Sequence, residues 1–194
     1  SPGKPGSDWL TRLTPMNFYP LICGAPDAAQ AKRVLAWMYR EDKFWGRWIL
    51  PTVTYDDPVW PEQTYWHGHI WPPANYLLWH GIQRYADAAH QAEFVRRNVD
   101  LFMRNWTAQR LCCENYRSTD GGCGDDPHYT WGALLCLIGV EALADVGPDF
   151  EPVPRRDLGL TEEIVMRRVP FGGRLYRIEI GRGTATASPE PDLK

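Results

Sequence analysis

The sequence predicts a mainly α-helical protein built of helix pairs joined by long, irregular loops, with a small β appendage at its C-terminal end. Three observations predict it. Apolar residues recur at three- and four-residue spacing in four stretches before Gly147. Residues 41–71 hold no sustained period, yet they are dense in aromatics and prolines. After Gly147-Pro148 the texture changes to alternating, strand-like runs. The division that follows is 8–150 for the helical part and 151–194 for a linker and the appendage.

The first helix is expected to start on Pro26, a residue suited to the first helical position. It carries Ala31, Leu35 and Met38 on one face and ends near Arg40. The loop that follows carries Phe44, Trp45, Trp48, Tyr55, Trp60, Tyr65 and Trp66, with Pro51, Pro58 and Pro61 as breakers. A loop of that length inside a compact domain is usually functional. Pro72-Pro73 then opens a second helix, with Leu78, Ile82 and Tyr85 on one side. A third places Phe94, Asn98, Phe102 and Trp106 along one stripe, with Val95 and Val99 beside it. After the polar loop 112–128, Thr130 is expected to cap a fourth helix bearing Leu134, Leu137, Ile138 and Glu141. Pro152 and Pro154 read as linker, and the appendage begins near Gly159. Residues 164–169 and 175–180 read as strands around a Gly172-Gly173 turn. Residues 1–7 are expected to be a flexible lead, and residues 188–194 to fray.

At 194 residues, with 44% hydrophobic and 23% charged side chains, the chain has the composition of a soluble globular protein with a sizeable core. A net charge of -3 without a basic run argues against nucleic-acid and anionic-membrane partners. No apolar stretch reaches membrane-spanning length and no secretory signal is visible, so a cytoplasmic location is expected. The 5 cysteines, an odd number without a framework spacing, suit a reducing compartment and buried thiols. Cys112, Cys113, Cys123 and His128 could hold zinc, but an adjacent Cys pair is not the usual spacing. No metal and no cofactor are expected. Of the 10 tryptophans, Trp37, Trp79 and Trp106 are read as core, whereas most others lie in loop-like sequence where a ligand cleft would draw them.

Two segments carry the chemistry. Tyr65-Trp66-His67-Gly68-His69-Ile70-Trp71-Pro72-Pro73-Ala74-Asn75-Tyr76 gathers aromatics, imidazoles and an amide, and Glu114-Asn115-Tyr116 places a carboxylate beside an amide and a phenol. Sugar sites need flat apolar faces, hydrogen-bonding groups and a positioned carboxylate. Trp66, Trp71 and Tyr76 are candidate platforms, although Trp71 serves equally as a staple on its own helix. Asn75 either meets the ligand or ties down loop backbone. His67 and His69 share a face if the chain is extended there, but no third metal ligand follows at suitable spacing. Asp57, Gln63 and His128 are loop residues that could face the cleft, with Trp131 beside His128; Asp57 before Pro58 equally starts a turn. Asp120, Asp125 and Asp126 read as a solvated turn rather than a calcium loop.

The run DDPVWPEQTYWHGHIWPPANYLLWHGIQRYAD, then CENYRSTDGG, then HYTWGALL, resembles the C-terminal half of the catalytic domain of glycoside hydrolase family 63. Its bacterial members include mannosylglycerate and glucosylglycerate hydrolases and α-glucosidases. The resemblance implies a partial (α/α)6 toroid and hydrolysis of α-glycosidic bonds with inversion, by an aspartic acid as general acid and a glutamate as general base. The family's E-N-Y block lands on Glu114, implying the base, with Asn115 and Tyr116 as its supports. The W-R-G block lands on Trp66-His67-Gly68, where His67 stands in place of the family's arginine. Short α-linked sugars or glycosyl glycerates are the implied substrates. No segment matches the block that carries the general acid, so the missing N-terminal half of the toroid, or another chain supplying it, is an expected partner. The alternatives are a non-catalytic carbohydrate-binding or scaffold protein and, further off, a metal-binding protein using His67, His69 and the cysteines.

Overall fold

The structure is a computed structural model that describes residues 12–155, 163–181 and 184–191. The expected lead at residues 1–7 and the expected start of the appendage at Gly159 lie outside the described residues. Four α-helices are present among them: α1 (Ala28–Met38), α2 (Pro72–Tyr85), α3 (Ala88–Gln109) and α4 (Leu134–Leu143). Short 3-10 turns cover Pro15–Leu21, Trp60–Glu62 and Thr130–Ala133. The strands are β1 (His69–Ile70), β2 (Tyr116–Arg117), β3 (Ala144–Val146), β4 (Pro152–Pro154), β5 (Ile164–Phe171), β6 (Arg174–Gly181) and β7 (Thr184–Glu190). They form three small antiparallel sheets, β1-β2, β3-β4 and β5-β6-β7, so the architecture is mixed rather than mainly α.

Local chemistry explains the helix ends. Asp27, not Pro26, starts α1: its carboxylate accepts from Gln30 N at 2.7 Å and the Gln30 amide accepts from Asp27 N at 2.9 Å, a reciprocal capping box. Asp87 caps α3 through His90 N at 3.0 Å. Thr130 opens a 3-10 turn instead of capping α4, which begins only at Leu134. α4 packs against both α2 and α3, and the α2 face packs on the first 3-10 turn. One buried cluster, including Leu21, Phe44, Leu50, Leu78, Trp79, Ile82, Phe94 and Leu135, unites these elements with the long loop.

Trp79 is fully buried, as expected of a core tryptophan, but Trp37 and Trp106 are 49% and 38% exposed. Trp37 lies off the Ala31, Leu35, Met38 face of α1 and carries the Arg40 guanidinium 5.0 Å above its ring. Trp106 sits in the last turn of α3, stacked on Phe102 at 6.0 Å.

The two expected strands of the appendage are β5 and β6, and a third, β7, completes the sheet. Ser188 to Glu190, expected to fray, pair instead with Arg177, Tyr176 and Leu175. Pro189 is tolerated because β7 is an edge strand. Pro152 and Pro154, read as linker, form β4 against β3. Val169, Tyr176, Ile178 and Ile180 bury one face of the sheet with Leu143 and Ala144 at the end of α4. Deleting residues 159–194 therefore uncovers the apolar end of α4 and is expected to cause aggregation and a lower Tm. Size-exclusion chromatography and thermal melts check this; a monomeric deletion variant with unchanged Tm would contradict it.

Among the described residues no helix is long and apolar enough to cross a membrane. The cysteines differ from expectation. Cys113 and Cys123 form a disulfide, because the turn between them folds back until their Cα atoms are 5.5 Å apart, while Cys23, Cys112 and Cys136 are free thiols. A structural disulfide belongs to oxidising environments, which removes the cysteine argument for a reducing compartment.

Candidate active site

The two motifs lie apart in sequence, the first ending at Tyr76 and the second starting at Glu114, and the β1-β2 ladder joins them, with His69 opposite Arg117 and Ile70 opposite Tyr116. Thr52 fixes the approach to β1: its hydroxyl donates to Trp66 O at 2.9 Å and accepts from Gly68 N at 3.0 Å. Gly68 has φ +104°, and a Cβ there would lie 2.5 Å from Gln63 Nε2 and 2.8 Å from Trp60 O, so only glycine fits. Gln63 holds the same corner, its amide oxygen accepting from Ser118 N at 3.0 Å and its Nε2 donating to Trp60 O at 2.8 Å.

This corner presents a continuous aromatic wall. Trp66 and Trp71 stack at 4.3 Å with ring planes 6° apart, and Tyr65 packs edge-on against both. Trp71 is only 3% exposed, whereas Trp66 is 45% exposed. Trp71 is thus the backing and Trp66 the open face. The wall continues through Trp131, edge-on to Trp71 at 5.8 Å, to Tyr129, 4.4 Å from Trp131. Trp131 Nε1 donates to Glu114 O at 2.8 Å, which fixes the carboxylate-bearing residue to the wall.

Glu114 is half-buried, and its backbone N–H donates to Asp126 O at 2.8 Å. Its carboxylate makes no hydrogen bond or ion pair among the described residues, which leaves its lone pairs open to a ligand or water. The loop around it is tightly held. The Cys113–Cys123 disulfide closes it on one side. On the other, buried Asn115 donates from Nδ2 to Asp125 Oδ2 at 2.8 Å and accepts at Oδ1 from His69 Nδ1 at 2.8 Å, while His69 Nε2 lies 2.6 Å from Gln63 O. Both ring nitrogens of His69 are thus held in place by oxygen partners, which fixes the orientation of the imidazole. Gly124 and Gly132 permit this packing: a Cβ at Gly124 would lie 2.1 Å from Asn115 Oδ1, and one at Gly132 2.5 Å from Cys113 O.

Several residues expected at the ligand face elsewhere. Asn75 is fully buried, with Nδ2 donating to Asn98 Oδ1 at 2.6 Å, so it ties α2 to α3 and presents no surface to a sugar. Tyr116 is also fully buried, and burial pushes its phenol above the usual range. Further chains can only reduce exposure, so both act as internal supports. Tyr76 donates to Glu141 Oε1 at 2.6 Å, linking α2 to α4; burial, then this bond to a carboxylate, pushes its pKa up to about 12. Its hydroxyl is thereby committed to a cross-tie between the two helices. Asp57 binds Arg12 at 3.0 Å through one oxygen and accepts from Val59 N at 3.0 Å through the other, which is a turn-building role. His67 stands on the rim with Nδ1 2.5 Å from Glu62 Oε2. His128 is exposed, with its N–H on Asp126 Oδ1 at 2.8 Å. Among the described residues no three His, Cys, Asp or Glu side chains are grouped to hold a metal.

Sequence reasoning did not single out Tyr65 and Tyr129 as parts of the wall, or Thr52 and Ser118 as its clamps. Tyr65 was marked only by adjacency to Trp66, and Tyr129 by adjacency to Trp131. Nothing in the spacing marks Thr52 or Ser118.

Sugar sites use aromatic faces and positioned carboxylates, and this corner holds a stacked aromatic wall tied to the Glu114 loop. Residues 4–132 match the mannosylglycerate hydrolase MGH1-like glycoside hydrolase domain, and the chain belongs to this family, a relative of glycoside hydrolase family 63. It is 28% identical over 128 residues to mannosylglycerate hydrolase of Thermus thermophilus, covering 64% of this chain and 29% of that one. It is 24% identical over 135 residues to mannosylglycerate hydrolase MGH1 of Selaginella moellendorffii, covering 66% of this chain and 25% of that one. The chain thus spans about a quarter of the length of the curated relatives it matches. A solved mannosylglycerate hydrolase of Thermus thermophilus, in complex with Tris and D-glycerate, shares the fold with a TM-score of 0.59 at 24% identity, over 69% of this chain and 31% of that one.

Proposed function

We propose that this chain supplies the general-base half of the active site of an inverting α-glycosidase acting on short α-linked sugars. Its helices would form one part of an (α/α)6 toroid that the rest of the family domain completes. The observation that carries the reading is the hydrogen bond from Trp131, a member of the aromatic wall, to the Glu114 main-chain carbonyl, which ties the Glu114 loop to that wall. A sugar stacked on Trp66 would present its anomeric carbon toward the Glu114 loop. Glu114 then takes a proton from a water on the face opposite the leaving group. An acid roughly 6.5–9.5 Å away protonates the departing oxygen. On this reading the acid lies outside the segment matched here. The chain by itself gives little turnover, because a general acid contributes about 10²–10⁴-fold.

Binding tests the reading without requiring turnover. Titrating methyl α-D-glucoside and methyl α-D-mannoside into the chain, followed by calorimetry, is expected to show binding of at least one of them. Trp66→Ala should weaken that binding roughly tenfold, the scale of one lost aromatic platform. The melting temperature should stay near native, since the ring is half exposed. Unchanged affinity in Trp66→Ala would contradict the assignment of the wall. Sugar binding by the complete gene product with no hydrolysis of any α-linked disaccharide would favour the carbohydrate-binding alternative.

A further inference from the structure

The segment Trp66-His67-Gly68-His69 sends one buried side chain to the Glu114 loop. His69 is 3% exposed, and its ring spans two parts of the site. Nε2 lies 2.6 Å from the main-chain oxygen of Gln63, in the corner that carries Trp66. Nδ1 lies 2.8 Å from Oδ1 of Asn115, the residue next to Glu114. The Asn115 amide is oriented in turn: its Nδ2 donates to Asp125 Oδ2 at 2.8 Å, and an ionised carboxylate can only accept, so Oδ1 faces the imidazole. Asp125 Oδ2 is the more distant oxygen from Nδ1, at 3.5 Å. Gly124 covers the contact. Its N–H donates to Asn115 O at 3.0 Å, and a Cβ there would lie 2.1 Å from Asn115 Oδ1 and 2.8 Å from His69 Nδ1.

Other ties between corner and loop lie further along the chain. Tyr116 pairs with Ile70, and Ser118 N donates to Gln63 Oε1 at 3.0 Å. The bonds to Glu114 itself come from Asp126 and Trp131, in the same segment as the loop. Given the proposed function, on which this assignment rests, we propose that His69 is a positioning residue for the general base, acting through Asn115. Buried in this way, the ring does not touch a sugar; it sets where residue 114 stands relative to Trp66. Losing the Nδ1 contact leaves a buried amide oxygen unpaired, which favours a shift of the loop that pairs it again. A displacement of about 1 Å can lower a rate on the order of 10²-fold, and a sugar held on Trp66 would still bind. The loss therefore appears in kcat rather than KM.

His69→Asn and His69→Gln separate the two ends of the ring, because the Asn amide reaches the place of Nδ1 and the longer Gln amide that of Nε2. In the complete gene product, His69→Gln is expected to lower kcat on the best α-linked substrate about tenfold, with KM little changed, and His69→Asn several-fold less. Both variants lose the ring and should lose similar amounts of Tm, so a difference in kcat between them is not a loss of fold. Amide hydrogen exchange gives a second readout that needs no turnover. The Glu114 N–H, bonded to Asp126 O, should exchange several-fold faster in His69→Gln than in His69→Asn. Adding His69→Gln to Asn115→Ala should cost little beyond Asn115→Ala alone, since the two residues act through one contact. Equal kcat and equal exchange in the two His69 variants, or a larger loss in His69→Asn, overturns the inference. Full additivity with Asn115→Ala overturns it too. If Glu114→Gln loses kcat while the His69 variants match each other, the proposed function stands and this inference falls. Near-native kcat in Glu114→Gln, or no hydrolysis by the complete gene product, removes both.

Discussion

Glu114→Gln is expected to lower kcat on the best α-linked substrate by about 10²-fold or more in the complete gene product, with KM little changed. The substitution keeps the size and hydrogen-bonding outline of the side chain but removes the basic oxygens that would take a proton from water. It should leave the fold intact. The ties that hold this loop run through the backbone of residue 114, from its N–H to Asp126 O and from Trp131 Nε1 to its carbonyl, and through the neighbouring Asn115 and Cys113 side chains. Steady-state kinetics on a panel of α-linked disaccharides, with a thermal melt as control, separates loss of chemistry from loss of structure. A variant that retains near-native kcat would remove Glu114 from the base role.

The largest effect on stability is expected from Trp79→Ala, at about 3–5 kcal/mol. Trp79 is fully buried and stacked on Phe94 at 6.0 Å, at the point where α2 and α3 meet the rest of the main cluster. Removing the indole leaves a void that backbone-anchored neighbours can fill only in part, so the transfer and cavity costs add. At roughly 2–4 °C per kcal/mol for a chain of this size, Tm should drop by about 10 °C. Urea unfolding with an unchanged m-value would show that the native state, not the denatured ensemble, was altered. A loss below about 1 kcal/mol would mean that the core around Trp79 is not packed as described.

The helices were legible because their apolar residues keep three- and four-residue spacing: Leu78, Ile82 and Tyr85 marked α2, and Phe94, Asn98 and Phe102 marked α3. β5 and β6 were legible through alternation and the Gly172-Gly173 turn. β7 was not, because Thr184-Ala185-Thr186-Ala187 alternates without large apolar side chains, and its order comes from backbone pairing to β6. The Cys113–Cys123 bridge escaped notice because a ten-residue separation matches no familiar framework; only the folded loop brings the two together.

At the site, the residue types were legible and their orientations were not. Trp66 and Trp71 read alike in sequence, yet one is the open face and the other its backing. Asn75 and Tyr76 stand at the start of α2, where a half-turn of helix decides between cleft and interior, and both turn to neighbouring helices. Glu114 was marked by resemblance rather than by spacing. The hydrogen bond from Trp131 to its carbonyl, and the strand pair that brings residues 69–70 to residues 116–117, are features that no local pattern foretells.

A crystal structure of the complete gene product carrying Glu114→Gln, soaked with a neutral α-linked disaccharide, tests the central claim most directly. The expected result is a sugar ring over the exposed face of Trp66, with a water held between the residue 114 amide and the anomeric carbon, on the side away from the leaving group. A sugar bound elsewhere on the chain, or one over Trp66 with its anomeric carbon turned away from residue 114, would contradict it.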